Sequence, residues 1–481
     1  MSSDKVTFDF KGKSISCRPG TSVAVALWEE GVRVLSHSPK YGRPRGISCA
    51  RGQCTSCLMR VDGVPNIRTC ETEVRDGMTV ERQDTGAFYG AGMQKILATA
   101  DNLFPVGFYY KWFTRPTALN RVFLDMIRPL TGVGRIPEPG TELKADGLSN
   151  SLVTDLGDFS KVIVGGGPAG LAAAVESSGP VLVLDEHHEC GGQRGTALRE
   201  ATTALGNRLE RFPVLANSGR RLDGLIKDFS ARPEHTFLGG VRAVAGYPPN
   251  GLLLRRENDL ATMNFRELVW AAGAMDTLGL FPGNDTPGLI GPRALYRLLL
   301  RDGLDVAGRQ VLILGNGIDS WLSAVLLAER GARISLVITE SGYHTEISAA
   351  IDAKWQLTTG FKLASIRPHG EGQLAATLVS RESSPSGPLH SHLQLEADLA
   401  IICGQGKPTF DIPFQLGIDM SLQQDRGGFI PTGAGESSVF SGRLPDGATV
   451  AVVGEAIGET VMEPIVPPGK QKNGHPEGSA Q

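Results

Sequence analysis

The stretch "KVIVGGGPAGLAAAVESSGPVLVLDE", Lys161 to Glu186, narrows the choice of fold more than any other part of the chain. An apolar run leads into Gly165-x-Gly167-x-x-Gly170, and a helix of small residues leads to a second apolar run ending in Asp185 and Glu186. In a strand–turn–helix–strand unit each glycine has its own task. Gly165 makes the turn, Gly167 lets a pyrophosphate approach the backbone, and Gly170 allows helix and strand to pack closely. Pro168 and Ala169 open the helix, and the two carboxylates stand where ribose hydroxyls are held. The glycines, a proline and Glu176 interrupt the apolar run, so it does not read as a membrane span.

Two later elements favour FAD over NAD at this loop. "CGGQR" places Gly192, Gln193 and Arg194 just after the acidic strand. "TVAVVGEAIGE" places Gly454 and Glu455 where a strand–Gly–Asp element meets a flavin's ribityl chain, with Glu standing where Asp is usual. The neighbouring His187, His188 and Cys190 read as a solvated loop over the nucleotide, ahead of a metal site.

A second βαβ pattern begins at Arg309, "RQVLILGNGIDSWLSAVLLAERGARISLVITE". It carries Gly315 and Gly317, but Ser320 replaces the third glycine. Glu340 closes the next strand and suits a ribose with a free 2′-hydroxyl, so NAD or another adenine nucleotide fits better than NADP. The alternative is a nucleotide-type domain that binds nothing. The strand "ADLAIICGQG" follows near residue 400, which suggests a first nucleotide domain interrupted by a second and then completed.

Ahead of both lies "CARGQCTSC" and, further on, "VPNIRTC": Cys49-x4-Cys54-x2-Cys57-x12-Cys70. The first three match the plant-type ferredoxin spacing for a 2Fe–2S cluster, and the fourth ligand arrives from later sequence. Gly46, Gly52, Ala50, Thr55 and Ser56 suit a backbone wrapped tightly around inorganic sulfide. The alternatives are structural zinc and unliganded thiols. Zinc modules usually show two short cysteine pairs, which Cys49 and Cys70 do not supply. Cys17, Cys190 and Cys403 stand apart and read as small buried apolar residues. Around the cluster motif, "VTFDFKGKSISC" alternates like a hairpin, "GTSVAVALWEEGV" reads as a short amphipathic helix, and "CLMRVDGVPNIRTC" reads as strand–turn–strand.

A chain of 481 residues has room for about three domains. Its net charge of −3 argues against a broad nucleic-acid or anionic-membrane footprint. The polar start "MSSDKVTFDF" is neither a secretory signal nor an anchor, and seven cysteines in this length favour a reduced, cytoplasmic setting. The expected fold class is α/β: an N-terminal β-grasp ferredoxin-like 2Fe–2S domain (1–84), then two nested Rossmann-like dinucleotide-binding domains of the disulfide-oxidoreductase-like flavoprotein type. A helical aromatic connector (85–157) precedes the first part of the FAD domain (158–304). The nested NAD-type domain (305–395), the second part of the FAD domain (396–465) and a disordered tail (466–481) follow.

The stretches "GRPRGISCARGQCTSCLMRVDGVPNIRTC", "FPVGFYYKWFTRP", "VIVGGGPAGLAAA", "AAGAMDTLGLFPGNDTPG" and "ICGQGKPTFDIPFQLG" together resemble the alpha subunit of heteromeric sarcosine oxidase. The same family contains opine oxidases, hydrogen cyanide synthase and dye-linked proline or hydroxyproline dehydrogenases. The resemblance covers residues 5–465 or so and adds Ala272 and Gly273 to the flavin contacts. Unlike sarcosine oxidase alpha subunits, the chain stops before an aminomethyltransferase-like domain, so folate chemistry is not expected. The resemblance implies a separate D-amino-acid-oxidase-like flavoprotein subunit that oxidises the amine, with FMN at the subunit interface as a further candidate. This chain would supply FAD, the cluster and an electron path to an acceptor that the sequence does not name. No substrate-oxidising constellation is evident, so no catalytic residue is assigned. The rival readings are a stand-alone NADH-dependent FAD/2Fe–2S reductase and a non-redox scaffold with structural nucleotides.

Overall fold

The computed structural model describes residues 5–38, 43–83, 115–118, 120, 153–256, 259–315, 317–338, 355–370, 372–380, 392–434 and 439–458. Most of the aromatic connector, Glu340 and the tail lie outside these residues. The chain divides into two compact units: Met1–Ala145 with Ala197–Ala216 and Asp276–Gly404, and Asp146–Thr196 with Asn217–Met275 and Gln405–Gln481.

The first unit opens with the expected hairpin, Val6–Phe10 paired antiparallel with Lys13–Cys17. Leu58–Val61 and Val64–Arg68 form a second hairpin. Thr79–Glu81 joins the two, parallel to the first strand and antiparallel to Leu58–Val61, giving a five-stranded mixed sheet. That single parallel pair needs a crossover, and helix α1 (Val23–Glu29) lies on it. Helix α1 differs from the amphipathic expectation: every residue from Val23 to Trp28 is buried. It is enclosed on all sides because its side chains belong to an apolar cluster that continues through Leu295, Leu322 and Ile401 of the same unit. A helix covered all round shows no polar face.

The second unit is built on parallel strands in the order Thr236–Leu238, Leu182–Leu184, Thr154–Val164, Asp259–Trp270 and Thr449–Val453. Helix α2 (Pro168–Glu176) is the crossover between Thr154–Val164 and Leu182–Leu184. The strands are fully apolar where helices cover them, as Val162, Ile163, Val183 and Leu184 show by their complete burial.

The segment Asp276–Gly404 of the first unit carries the nested domain. Its five parallel strands run in the order Leu289–Ile290, Leu399–Cys403, Gln310–Gly315, Arg333–Ile338, Gln356–Thr359. Helix α3 (Pro292–Leu300) follows the first of them, and helix α4 (Ile318–Glu329) crosses from Gln310–Gly315 to Arg333–Ile338. A three-stranded antiparallel sheet, Phe361–His369, Gln373–Ser380 and His392–Ala397, completes it. Among the described residues no helix is long and apolar enough to cross a membrane.

Candidate functional site

The cysteine loop of the first unit is irregular backbone between Ile47 and the strand at Leu58. Ala50 (φ +50°) and Gly52 (φ +65°) are left-handed, which turns the chain back on itself within four residues. Gly52 is favoured by its left-handed φ, and a side chain there would also have to displace the Glu71 carboxylate, 2.0 Å from its Cβ position. The curled loop aims backbone N–H groups at sulfur: Arg51 N lies 3.4 Å and Cys54 N 3.3 Å from Cys49 Sγ. Thr69 donates its hydroxyl to the Cys57 carbonyl at 2.7 Å, which pins the third cysteine beside the fourth.

All four thiols are free. Cys57 and Cys70 are buried, while Cys49 and Cys54 are partly exposed. Cys49 is held well below an ordinary thiol by hydrogen bonds from the Cys54 and Cys70 thiols. Cys54 and Cys70 are raised, chiefly by the same contacts with Cys49. Such neighbours cannot all ionise unless positive charge comes between them, which ferric ions would supply. Among the described residues no three His, Cys, Asp or Glu side chains converge as a set for a metal ion. A two-iron cluster instead needs its four thiolates spread around a rhomb, and the free thiols with inward N–H groups fit that group.

In the second unit the glycine loop has the expected geometry. A Cβ on Gly165 (φ +110°) would lie 2.2 Å from the Ala271 carbonyl oxygen, and one on Gly170 would lie 1.8 Å from that of Gly165. Only glycine permits these approaches. Gly167, the N-cap of α2, is different: nothing comes nearer than 3.9 Å to its Cβ position, so its open side can admit a phosphate. Gly192 packs on it, with a Cβ position 3.0 Å from Gly167 Cα, and Gly191 N–H donates to the Gly166 carbonyl at 2.8 Å. Arg194 and Glu455 form an ion pair at 2.7 Å with both side chains less than a fifth exposed. Gly273 (φ +71°) faces the Glu455 carboxylate, and Gly454 (φ +65°) touches Ala169. The structure therefore brings Gly165, Gly167, Pro168, Ala169, Gly170, Gln193, Arg194, Ala272, Gly273, Gly454 and Glu455 to one end of the parallel strands.

Asp185 and Glu186 are also here, with more structural work than the sequence suggested. Asp185 accepts the Gly166 N–H at 2.6 Å and the His187 N–H at 2.7 Å, and its Oδ1 lies 2.8 Å from His187 Nδ1. Glu186 pairs with Arg242 at 2.8 Å. Asp185 thus braces the glycine loop from beneath. Sequence reading missed Arg242, because 56 residues separate it from its partner and no spacing rule connects them. An N-cap open on one side, a helix dipole behind it and rigid flanking glycines fit the diphosphate of a dinucleotide.

At the second loop, Gly315 (φ +138°) sits against the Cys403 carbonyl, 2.2 Å from its Cβ position, and Gly317 (φ +125°) has open space. Ser320 is fully buried and contacts the Cys403 thiol, which burial pushes up. Asp319 occupies the first turn of α4 and accepts a 2.9 Å hydrogen bond from the Tyr296 hydroxyl. A carboxylate at that turn satisfies the helix dipole and opposes a second anion. The backbone of the motif is present; its electrostatics favour a diphosphate less than the first loop does.

Residues 3–85 match the family model described as a 2Fe-2S iron-sulfur cluster binding domain. The sarcosine oxidase subunit alpha of Corynebacterium sp. (strain P-1) is 24% identical over 469 residues, covering 93% of this chain and 42% of the relative. This chain thus spans about two fifths of the length of that relative. The hydrogen cyanide synthase subunit HcnA of Pseudomonas aeruginosa is 34% identical over 83 residues, 17% of this chain and 79% of the relative. In fold, the chain is similar to the L-proline dehydrogenase of P. horikoshii, with a TM-score of 0.55 at 18% identity, covering 95% of this chain and 70% of that one. The chain belongs to the family of sarcosine oxidase alpha, opine oxidase and hydrogen cyanide synthase subunits, with an N-terminal 2Fe–2S domain ahead of a nested pair of dinucleotide-binding folds.

Proposed function

We propose that this chain is the nucleotide-binding and electron-transfer subunit of a heteromeric flavin-dependent amine or imino-acid dehydrogenase or oxidase. Its donor would be a secondary amine such as sarcosine, proline, hydroxyproline or an opine. The observation that carries the reading is the presence on one chain of a four-thiol pocket and a flavin-type dinucleotide cradle. The cluster is assigned to 1–84 and the cradle to Asp146–Thr196, Asn217–Met275 and Gln405–Gln481, while Leu289–Ile290 and Leu399–Cys403 belong to the nested sheet.

When bound, FAD supplies two-electron uptake and release and the 2Fe–2S cluster supplies one-electron transfer. The chain's own residues hold and orient. Cys49, Cys54, Cys57 and Cys70 ligate iron, and the Arg51 and Cys54 amides donate to the Cys49 sulfur. Gly167 and the first turn of α2 hold the pyrophosphate, and the Arg194–Glu455 pair closes the cradle beside Gly273. Amine oxidation belongs to a D-amino-acid-oxidase-like partner subunit, with FMN at the shared interface. The second loop is the place for NAD or another adenine nucleotide, and Asp319 gives it second rank. The setting is cytoplasmic.

The test is co-expression with a D-amino-acid-oxidase-like subunit, co-purification, and extraction of cofactors. Anaerobic addition of the amine should bleach the flavin and produce a reduced-cluster EPR signal in the complex, and should do neither with this chain alone. Rapid bleaching of the isolated chain by NADH would instead establish a stand-alone reductase. Flavin that stays oxidised during turnover of the complex would leave only a scaffold.

A further inference from the structure

We propose that Arg301 and Asp302 of the nested domain are positioning residues that set the reduction potential of the cluster, Arg301 raising it and Asp302 lowering it. The inference rests on the assignment of the four cysteines as 2Fe–2S ligands. Arg301 caps the C-terminal end of α3. Its Nη2 donates to the Cys70 carbonyl at 2.6 Å, although the two residues are 231 positions apart. The same guanidinium grips the adjacent Asp302 with both arms, Nε to Oδ1 at 2.8 Å and Nη2 to Oδ2 at 2.6 Å. The Asp302 side chain is 2% exposed, so it is an anchored buried charge and not a surface residue that happens to lie nearby.

Bidentate pairing fixes the plane of the guanidinium, and the fixed plane sends one N–H to the carbonyl of a ligand residue. Burial opposes the charge on Arg301, and the hydrogen bond and charge of the Asp302 carboxylate favour it. Other charges also reach Asp302: Arg297 opposes its field and Glu73 adds to it.

The sign follows from electrostatics. One-electron reduction adds a negative charge to the cluster. A cation on the backbone of Cys70 stabilises the reduced form, and a carboxylate just behind it partly cancels that effect. Of the two, Arg301 is the one that bonds to Cys70. Asp302 is buried and poorly screened, while the Arg301 side chain is 34% exposed and is partly screened by solvent. A charge change at this range is worth on the order of tenfold in the reduction equilibrium, about 59 mV for a one-electron couple.

The experiment is EPR-monitored redox titration of the full chain as wild type, R301Q, D302N and R301K, with iron and sulfide counted in each. R301Q should shift the midpoint to more negative potential and D302N to more positive. R301K, which keeps the charge but loses the fork, should fall between R301Q and wild type. A purely structural role would move R301Q and D302N in the same direction or not at all, and either result at full cluster content overturns the inference. If R301Q fails to assemble a cluster, D302N still decides: a positive shift supports the inference and any other result refutes it. A wild-type chain without stoichiometric iron and sulfide refutes the cluster assignment itself, and the two failures are told apart by that count.

Discussion

Substituting Gly170 by Ala tests whether the glycine loop is the cofactor cradle. The added Cβ would lie 1.8 Å from the Gly165 carbonyl oxygen, a backbone atom that no rotamer change can remove. To restore a tolerable contact near 3.0 Å, α2 and the Gly165 turn must separate by about 1.2 Å. Overpacking of this kind costs about 1–3 kcal/mol, and here it falls on the helix end that receives the diphosphate. Gly167→Ala is the matched control. Its Cβ meets nothing within 3.9 Å, so the apoprotein should lose no more than about 1 kcal/mol, from a poorer N-cap. The methyl group would, however, stand in the path of the pyrophosphate. Urea denaturation of apoprotein and FAD titration by flavin fluorescence separate the effects. G170A should lower both stability and affinity, and G167A should lower affinity at least tenfold with stability nearly unchanged. FAD binding by G167A as tight as wild type would refute the cradle.

Three further outcomes can be measured. Cys70→Ser should abolish stoichiometric iron and the cluster's visible absorption while flavin content persists, because the cradle is built in the other unit; normal iron content would remove Cys70 from the ligand set. A double-mutant cycle on Arg194→Met and Glu455→Gln, read by FAD affinity, should give a coupling of about 1 kcal/mol for this largely enclosed pair, and additive effects would dissociate the pair from the cradle. Asp319→Asn should strengthen adenine-dinucleotide binding at the second loop severalfold by removing a like charge, and unchanged calorimetric titration would exclude that loop as the second nucleotide site.

What the sequence made legible is what is local. Cys49, Cys54 and Cys57 lie within nine positions, and Gly165 to Gly170 within six, so chemistry that depends on one turn of backbone appears as spacing. The hairpins were legible for the same reason, since pairing between adjacent strands leaves a period of two. Contacts that depend on tertiary folding left no such mark. Arg194 meets Glu455 across 261 positions and Arg301 meets Cys70 across 231, and no motif anticipates either. Gly291 is another example: its bare backbone lets the Asp276 carboxylate approach within 2.4 Å of its Cβ position, where Asp276 accepts the Ala294 N–H at 3.0 Å and pairs with Arg293 at 2.9 Å. Helix α1 was misjudged as amphipathic because enclosure by a distant part of the chain removes the polar stripe that periodicity detects.

The continuity of that enclosure bears on how the protein matures. One apolar cluster runs from Phe8 and the α1 side chains to Leu295, Leu322 and Ile401, and polar contacts such as Arg301 to the Cys70 carbonyl and Asp305 N–H to Glu29 run alongside it. Free energy released when iron and sulfide enter the thiol pocket therefore stabilises the whole unit by linkage. Loading of the iron centre would then raise the stability of residues more than 200 positions away, and removing it should lower the denaturation midpoint of the nested sheet together with that of the thiol pocket.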